Sequence, residues 1–292
     1  MSMVLIPLIV CVTLRTPEPR YKGQSLSAWL HNYDHAHTQI EEREAKQAIV
    51  NIGTNAVPFL LQYMRYTPRP WKRSITDALA KLKGMRFAGR FIPYSMTTDA
   101  VSVRAQTAAY AFDILGPAAA YAYPDIAQLA CTATDPRASE LATMVLIMRR
   151  ADATNAIGFV LSNAPPPIRM QMIGRIATQR DQRLLQAVRP ALIECVRAED
   201  EEAARWAVST LLTLKHSQPE ATLALFIECL TNAKPKVRAE AIICIATFQT
   251  AATPAVPSVV PLLTDTDPSV RKEATNMLRM IAPEALTNGL TK

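Results

Sequence analysis

One stretch of this sequence concentrates side chains that bind anions. Residues 65–90 contain eight basic residues and a single acid, Asp77, so their net charge matches the +7 of the whole 292-residue chain. Guanidinium and ammonium groups attract phosphates, and aromatic rings stack on unpaired bases. The pattern predicts an anionic partner, either a nucleic acid or an anionic membrane surface. The basic residues are Arg65, Arg69, Lys72, Arg73, Lys81, Lys83, Arg86 and Arg90, and the aromatic residues are Tyr66, Trp71, Phe87 and Phe91.

A second basic stretch runs from residue 149 to residue 189. It holds seven arginines against two acids, Asp152 and Asp181. If both stretches faced one side of the protein, they would form a stripe suited to phosphates. The alternative is that these arginines lie on ordinary solvated helix faces. The arginines are Arg149, Arg150, Arg169, Arg175, Arg180, Arg183 and Arg189.

The histidines are the first candidates for a metal site. His31, His35 and His37 lie close together, with Asp34 between them. On a helix, His31 and His35 would share one face, which is a spacing that metal sites use. Because no fourth ligand can be named, we interpret the cluster as a solvated polar helix end and predict no metal site.

The remaining reactive side chains form no catalytic constellation. The acidic run at residues 199–202 is predicted to begin the helix that contains Trp206, because a helix N-terminus favours negative charge. Gly84 and Gly89 have the spacing of P-loop glycines but lack the following Lys-Ser/Thr. The cysteines lack C-x-x-C spacing and are predicted to be buried free thiols. We therefore predict no enzyme activity, no cofactor and no small-molecule substrate. The cysteines are Cys11, Cys131, Cys195, Cys229 and Cys244.

An internal repeat must position these residues. The pattern Pro-x-Val-Arg-x-Glu-Ala occurs at residues 235–241 and again at 268–274, with a period of 33 residues. Weaker units begin near Glu42 and Lys72, so the periodicity indicates about eight units. We predict that the arginines at the shared position bridge neighbouring units. That position holds Arg104, Ser139, Arg169, Arg205, Arg238 and Arg271 in successive units.

Each unit is predicted to form two helices. In the first, apolar residues such as Ala241, Ile242 and Ile245 recur at helical spacing. Its start is marked by Asp-Pro, as at residues 135–136 and 267–268, because Asp caps free N–H groups and proline suits the first turn. The second helix is predicted to have a proline near its start. Those prolines are Pro58, Pro124, Pro190 and Pro257.

These motifs resemble the HEAT repeat family over about residues 41–285. The Asp-Pro-Ser-Val-Arg-Lys-Glu-Ala stretch at 267–274 and the proline-containing second helices carry the resemblance. It implies an all-α fold, an α-solenoid of about eight stacked helix pairs (a HEAT-like superhelix) in which stacking buries the apolar faces. The composition agrees with this fold, because the chain has only 8 glycines. No stretch alternates apolar and polar residues for long enough to demand a sheet.

The N-terminus precedes the repeats. Residues 3–14 form an apolar run. The run is shorter than the roughly 20 residues that a membrane span needs, and it lacks the positively charged start of a signal peptide. Residues 21–30 are similar to the segment that follows a signal or anchor in many bacterial HEAT proteins of unassigned role. We expect export or membrane tethering rather than a cytoplasmic location. The predicted organisation is an apolar segment with a Pro-rich linker at residues 1–20, followed by one solenoid at 21–292.

Three functions are consistent with the sequence. The first is a non-enzymatic scaffold that binds a protein partner on the solenoid surface, since solenoids offer long binding surfaces. The second is binding of a nucleic acid or anionic surface through residues 65–90. The third follows from the resemblance alone, because some HEAT-like proteins are DNA glycosylases for alkylated bases. Trp71 and Asp77 are its only candidates, and no family motif maps onto them. We favour the protein-binding scaffold.

Overall fold

The computed structural model describes residues 17–65, 78, 81 and 100–289. The apolar run at residues 3–14, Gly84, Gly89 and the unit predicted near Lys72 lie outside these residues. Within them, no helix is long and apolar enough to cross a membrane.

The described chain is a stack of helix pairs, which confirms the all-α solenoid. A short helix, α1 (Leu26–Asp34), precedes seven pairs. The first helices of the pairs are α2 (Gln39–Ile52), α4 (Ala100–Leu115), α6 (Pro136–Arg149), α8 (Pro166–Gln179), α10 (Glu201–Leu211), α12 (Pro235–Ala246) and α14 (Pro268–Ile281). The second helices are α3 (Val57–Met64), α5 (Tyr123–Thr132), α7 (Thr154–Asn163), α9 (Gln182–Arg197), α11 (Pro219–Cys229), α13 (Val256–Val259) and α15 (Pro283–Gly289).

The helices stack because each pair has an apolar face to bury. Successive first helices from α4 to α14 contact each other, and so do α5, α7 and α9 among the second helices. The helix α4 packs against α1, α2 and α3. The helices before residue 66 and those after residue 99 therefore belong to one stack. Phe112, Leu146, Ile157 and Phe226 are among the large side chains that this stacking buries completely.

Aspartate caps begin the first helices where the sequence predicts them. The carboxylate of Asp135 accepts a hydrogen bond from the backbone N–H of Arg137 at 2.8 Å. Asp267 accepts one from Ser269 at 2.8 Å. Proline occupies the first turn of both helices, where its missing N–H leaves no intrahelical bond unmade.

The predicted role of Pro190 is wrong, because this proline lies inside α9 rather than near its start. The helix begins earlier, where the carboxylate of Asp181 accepts hydrogen bonds from the N–H groups of Arg183 at 3.0 Å and Leu184 at 3.2 Å. The side-chain cap therefore sets the start of this helix. Pro190 is tolerated on the exposed side of α9, where water can bond the carbonyl of Gln186 that loses its partner.

Hydrogen bonds between units line the edge at which first helices turn into second helices. Each acceptor is a carbonyl at or near the C-terminus of a first helix, where the last carbonyls lack intrahelical partners. These contacts join the first described pair to the second, the fourth to the fifth and the fifth to the sixth. Tyr121 donates to the carbonyl of Thr54 at 3.2 Å, Gln182 donates to that of Thr213 at 2.9 Å, and Lys215 donates to that of Thr247.

The described part of the predicted linker is attached to the stack. The carboxylate of Glu18 accepts hydrogen bonds from the hydroxyl of Ser27 and the phenol of Tyr63, both at 2.8 Å. The indole N–H of Trp29 donates to the carbonyl of Tyr21 at 3.0 Å. A two-residue antiparallel pairing of Arg20–Tyr21 with Gln24–Ser25 closes this turn. Residues 17–20 therefore pack on the first helices instead of forming a free linker.

Candidate protein-interaction surface

A groove lies between the second helices α7 and α9. It has a volume of about 640 Å³, and side chains from both helices form its walls. Phe159 is 40% exposed and presents its ring to the groove. The lining residues are Asn155, Gly158, Phe159, Ser162, Pro190, Ala191, Ile193, Glu194 and Arg197.

Helical spacing places these side chains on the outward faces of α7 and α9. Asn155, Phe159 and Ser162 are separated by four and three residues, so they share one face of α7 and all are exposed. The same spacing brings Pro190, together with Glu194 one turn later, to the outward face of α9. The helix α7 contains no charged residue, so the whole charge of the groove comes from α9.

The floor of the groove is made of small residues. A Cβ atom added at Gly158 would lie 4.0 Å from the Cβ of Ala191, which is ordinary contact rather than a clash. Packing therefore does not require glycine here, although glycine within a helix costs about 1 kcal/mol relative to alanine. Pro190, opposite it, also weakens its helix. Two residues that disfavour helices therefore line the same groove.

An ion pair lies on the α9 wall. A guanidinium nitrogen of Arg197 is 2.8 Å from a carboxylate oxygen of Glu194. Both side chains are more than 60% exposed, so the pair contributes little stability and can be opened at little cost.

The arginines of the repeat position close the turns that lead into the first helices. Arg238 donates to the carbonyls of Asn232 and Ala233 at 2.8 and 3.1 Å. Arg271 donates to the carbonyls of Asp265 and Thr266 at 2.7 and 2.9 Å. The equivalent contact of Arg169 is with the carbonyl of Ala164 at 3.1 Å. These bonds lie within the turn that precedes each arginine, so the arginines also brace turns, a role that the prediction of bridging between units did not include.

Bridging does occur at three of these positions. Arg205 contacts Glu240 on the next first helix at 3.3 Å, and Arg104 lies 5.5 Å from the ring of Tyr63. Arg238 additionally forms two bonds of 2.9 and 2.7 Å with the carboxylate of Asp265, just before α14.

The repeated turn geometry agrees with the comparison with protein families, in which residues 223–292 match the model for HEAT repeats. This part of the chain is similar to HEAT repeats. No curated protein matches the chain. Two crystal structures of engineered proteins from the Northeast Structural Genomics Consortium show 18% and 17% sequence identity, with TM-scores of 0.27 and 0.34. They cover 90% and 89% of this chain, and 97% and 99% of their own chains.

Only two members of the predicted anion-binding segment fall within the described residues. Arg65 is exposed at the C-terminal end of α3, beside a cavity of about 240 Å³ that Gln128 and Thr132 also line. Lys81 is exposed on a helix. The other predicted contacts lie outside the described residues: Arg69, Lys72, Arg73, Lys83, Arg86, Arg90, Tyr66, Trp71, Phe87 and Phe91.

The second basic stretch precedes the HEAT match, and most of its arginines have partners inside the protein. Arg149 pairs with Asp152 at 2.6 Å and with Asp113 at 3.3 Å. Arg175 lies 3.5 Å from Glu140. These partners account for several of the arginines within the stack, and whether the stretch binds phosphates stays a prediction. Of the others, Arg150 contacts Gln179 and Asp181, Arg169 contacts Ala164, Arg189 contacts Gln218, and Arg180 and Arg183 are exposed.

The histidines lie at the end of α1 as predicted. His31 and His35 are exposed, with ring centroids 4.1 Å apart. The Nδ1 atom of His35 lies 3.4 Å from the carboxylate of Asp34. Across the described ranges, no three His, Cys, Asp or Glu side chains form a group that could hold a metal.

The acidic run begins α10 as predicted. Asp200 caps this helix by accepting hydrogen bonds from Glu202 and Ala203, both at 3.1 Å. Lys236, at the start of the HEAT unit that contains α12, pairs with Glu202 at 2.6 Å and lowers the pKa of that carboxyl. These acids therefore cap and link helices.

The described cysteines are free thiols. Cys195, Cys229 and Cys244 are buried, as predicted, and Cys131 is half-buried. Burial raises the pKa of the Cys195 and Cys229 thiols to about 11 and raises that of Cys244 further. Because the thiolate is the reactive form, none of the three is suited to be a nucleophile.

The sequence reasoning missed the groove. The sequence contains only a weak indication of the groove. A single phenylalanine, Phe159, lies between Asn155 and Ser162 on a helix face that carries no charged residue. An amphipathic surface helix ordinarily places charged or polar residues on that face.

Proposed function

We propose that this chain is a non-enzymatic scaffold that binds a protein partner in the groove between α7 and α9. The exposed ring of Phe159 beside a floor of small residues is the observation that carries the proposal. Aromatic side chains in such positions supply a large share of binding energy at protein interfaces. The α7 wall carries no charged side chain. An apolar partner surface can therefore cover it without the cost of removing a charge from water.

Site-specific photo-crosslinking tests this proposal. A photoreactive amino acid at Ser162, on the rim of the groove, should form an adduct with a partner in extracts of the source cells. Phe159→Ser should reduce the adduct by about 30-fold, the effect of losing about 2 kcal/mol at an interface hot spot.

The matched control is Ile243→Ser. Ile243 is 44% exposed, much like Phe159, but lies on the first helix α12. This substitution should leave the adduct unchanged. A crosslink that survives Phe159→Ser, or the absence of a reproducible adduct, would reject the groove as a protein-binding site.

Binding of a nucleic acid or an anionic membrane through residues 65–90 is the second candidate. It is supported by the charge of the segment and by the exposure of Arg65 and Lys81. Reversing the charges of Arg69, Arg73 and Arg86 should abolish binding to single-stranded nucleic acid, and the affinity of the unmodified chain should fall steeply with salt. Salt-insensitive binding would contradict this candidate, and binding to anionic vesicles alone would assign the segment to membranes.

A further inference from the structure

A small cavity lies between α1 and α4, on different helices from the groove. Its volume of about 110 Å³ gives room for several water molecules. Leu30 and Thr107, on its two walls, are only 1% and 2% exposed, so the cavity is set into the stack. The lining residues are Ser27, Leu30, His31 and Asp34 on α1, and Val103, Arg104 and Thr107 on α4.

Two opposite charges line this cavity without pairing to each other. Asp34 contributes a carboxylate and Arg104 a guanidinium, and within the described part of the chain no ion pair joins them. The ion-pair contact of Asp34 is with the Nδ1 atom of His35, at 3.4 Å. Arg104 instead lies 5.5 Å from the ring centroid of Tyr63. Each charge can therefore accept a further partner from within the cavity.

The two charges lie about one helical turn apart. The carboxylate of Asp34 is 3.4 Å from the hydroxyl oxygen of Thr107. Arg104 precedes Thr107 by three residues on α4, a rise of about 4.5 Å along the helix axis. A ligand that contacts both charges must therefore span about 4–6 Å.

The groups at the two ends differ in the hydrogen bonds that they offer. Thr107 donates its proton to the carbonyl of Val103 at 2.9 Å, so its oxygen keeps lone pairs beside those of Asp34. This end accepts hydrogen bonds, as an ammonium group with its three donors requires. At the other end the guanidinium of Arg104 donates, and the imidazole of His31 can donate as well. Guanidinium groups bind carboxylates with strong charge-assisted hydrogen bonds.

We propose that this cavity binds a small zwitterionic amino acid whose amino and carboxyl groups are separated by two or three carbon atoms. Its ammonium group contacts Asp34 and its carboxylate contacts Arg104, while Leu30 and Val103 cover the short carbon chain. A simple anion would be repelled by Asp34 and a simple cation by Arg104, so neither suits both ends. This inference goes beyond the proposed function, because it concerns a second site and a small ligand.

Titration of the full chain with small probes tests the inference. The zwitterionic probes are β-alanine and γ-aminobutyrate, with glycine as the shorter comparison, and the singly charged probes are ethylamine and propionate. Backbone amide shifts of isotope-labelled protein should show that β-alanine or γ-aminobutyrate binds at least tenfold more tightly than either singly charged probe. The shifts should concentrate in α1 and α4, and glycine should bind more weakly because it is too short to reach both charges.

Substitutions at the two ends assign the contacts. Asp34→Asn and Arg104→Gln should each weaken the preferred zwitterion at least tenfold. The same changes should strengthen one singly charged probe each, because Asp34→Asn removes a like charge from propionate and Arg104→Gln removes one from ethylamine. Both side chains are exposed, so the fold should be retained. The matched controls Asp125→Asn and Arg43→Gln remove exposed charges from α5 and α2 and should change no affinity.

Equal binding of ethylamine and the zwitterions would indicate a cation site, and equal binding of propionate would indicate an anion site. Either result would overturn the inference, and so would tightest binding of glycine. It would also be overturned if millimolar probes caused no shifts, or if zwitterion binding survived both substitutions. None of these outcomes bears on the proposed function, because the crosslink at Ser162 reports on the groove.

Discussion

The pair formed by Arg238 and Asp265 should hold the last units of the stack together. The guanidinium forms two bonds of 2.9 and 2.7 Å with the carboxylate, and the side chains are only 12% and 7% exposed. Arg238 also bonds the preceding turn at Asn232 and Ala233, so it ties two successive turns to each other. Breaking the pair should loosen α14 from α12.

The magnitude follows from burial and geometry. Each hydrogen bond to a charged group contributes about 1.5–3 kcal/mol, and an unpaired buried charge adds a penalty. Because the two carbonyl acceptors continue to bond the guanidinium, we expect Asp265→Asn to destabilise α14 by about 3 kcal/mol. The coupling energy between Asp265→Asn and Arg238→Met should be about 2 kcal/mol.

Hydrogen exchange is the suitable assay, because unfolding of a repeat array need not be two-state. Protection of the amides of α14 should fall in both single variants, and the double-mutant cycle gives the coupling energy. Glu194 and Arg197 provide a matched control, since they form a pair of similar length that is more than 60% exposed. Their coupling should be about 0.5 kcal/mol or less. Equal couplings for the buried and exposed pairs would refute the reasoning.

The same pair predicts a pH dependence. Arg238 lowers the pKa of the Asp265 carboxyl below its ordinary value of 3.8. The stabilisation is therefore fully present above the unfolded-state pKa and is lost as the pH falls through the lower folded-state pKa. Protection of α14 should decline below about pH 4, and Asp265→Asn should flatten this decline. An identical pH profile in the variant would contradict the assignment.

Three further substitutions have defined outcomes. Arg180 ends α8 with a φ of 51°, so Arg180→Gly should raise thermal stability by about 0.5–1 kcal/mol, whereas Arg180→Ala, which keeps the Cβ atom, should not. Pro190→Ala should increase the hydrogen-exchange protection of the α9 amides by about 1–3 kcal/mol, because alanine supplies an N–H for the carbonyl of Gln186; unchanged protection would show that the proline does not weaken the helix. In a Cys11→Ser chain, maleimide should modify Cys131 first, because the other three thiols are buried, and faster labelling of those three would contradict their burial.

Sequence periodicity predicts the fold because the signals that begin the helices are local. An Asp-Pro pair such as residues 135–136 caps a helix with its own side chain and needs no distant contact. Pro190 shows the limit of this reasoning, since its surroundings resemble those of prolines at helix starts. The cap at Asp181, nine residues earlier, decides where α9 begins. A local pattern therefore predicts a helix more reliably than it predicts where that helix starts.

The groove is less predictable because it depends on two helices that are distant in sequence. Phe159 and Pro190 meet across it through the relative position of α7 and α9, which no local pattern specifies. Likewise, the repeat reveals the position of Arg238, but the length of the preceding turn places carbonyls within its reach. The arginines were thus recognisable as structural, while their partners were not.

The distribution of charge explains why the net charge is a poor guide to the partner at the groove. Several arginines that contribute to the +7 are paired within the stack, as Arg149 is with Asp152 and Asp113. At separations beyond about 8–10 Å, physiological salt screens the charges that are left. A partner at Phe159 therefore meets the paired charges of Glu194 and Arg197 rather than the net charge of the chain.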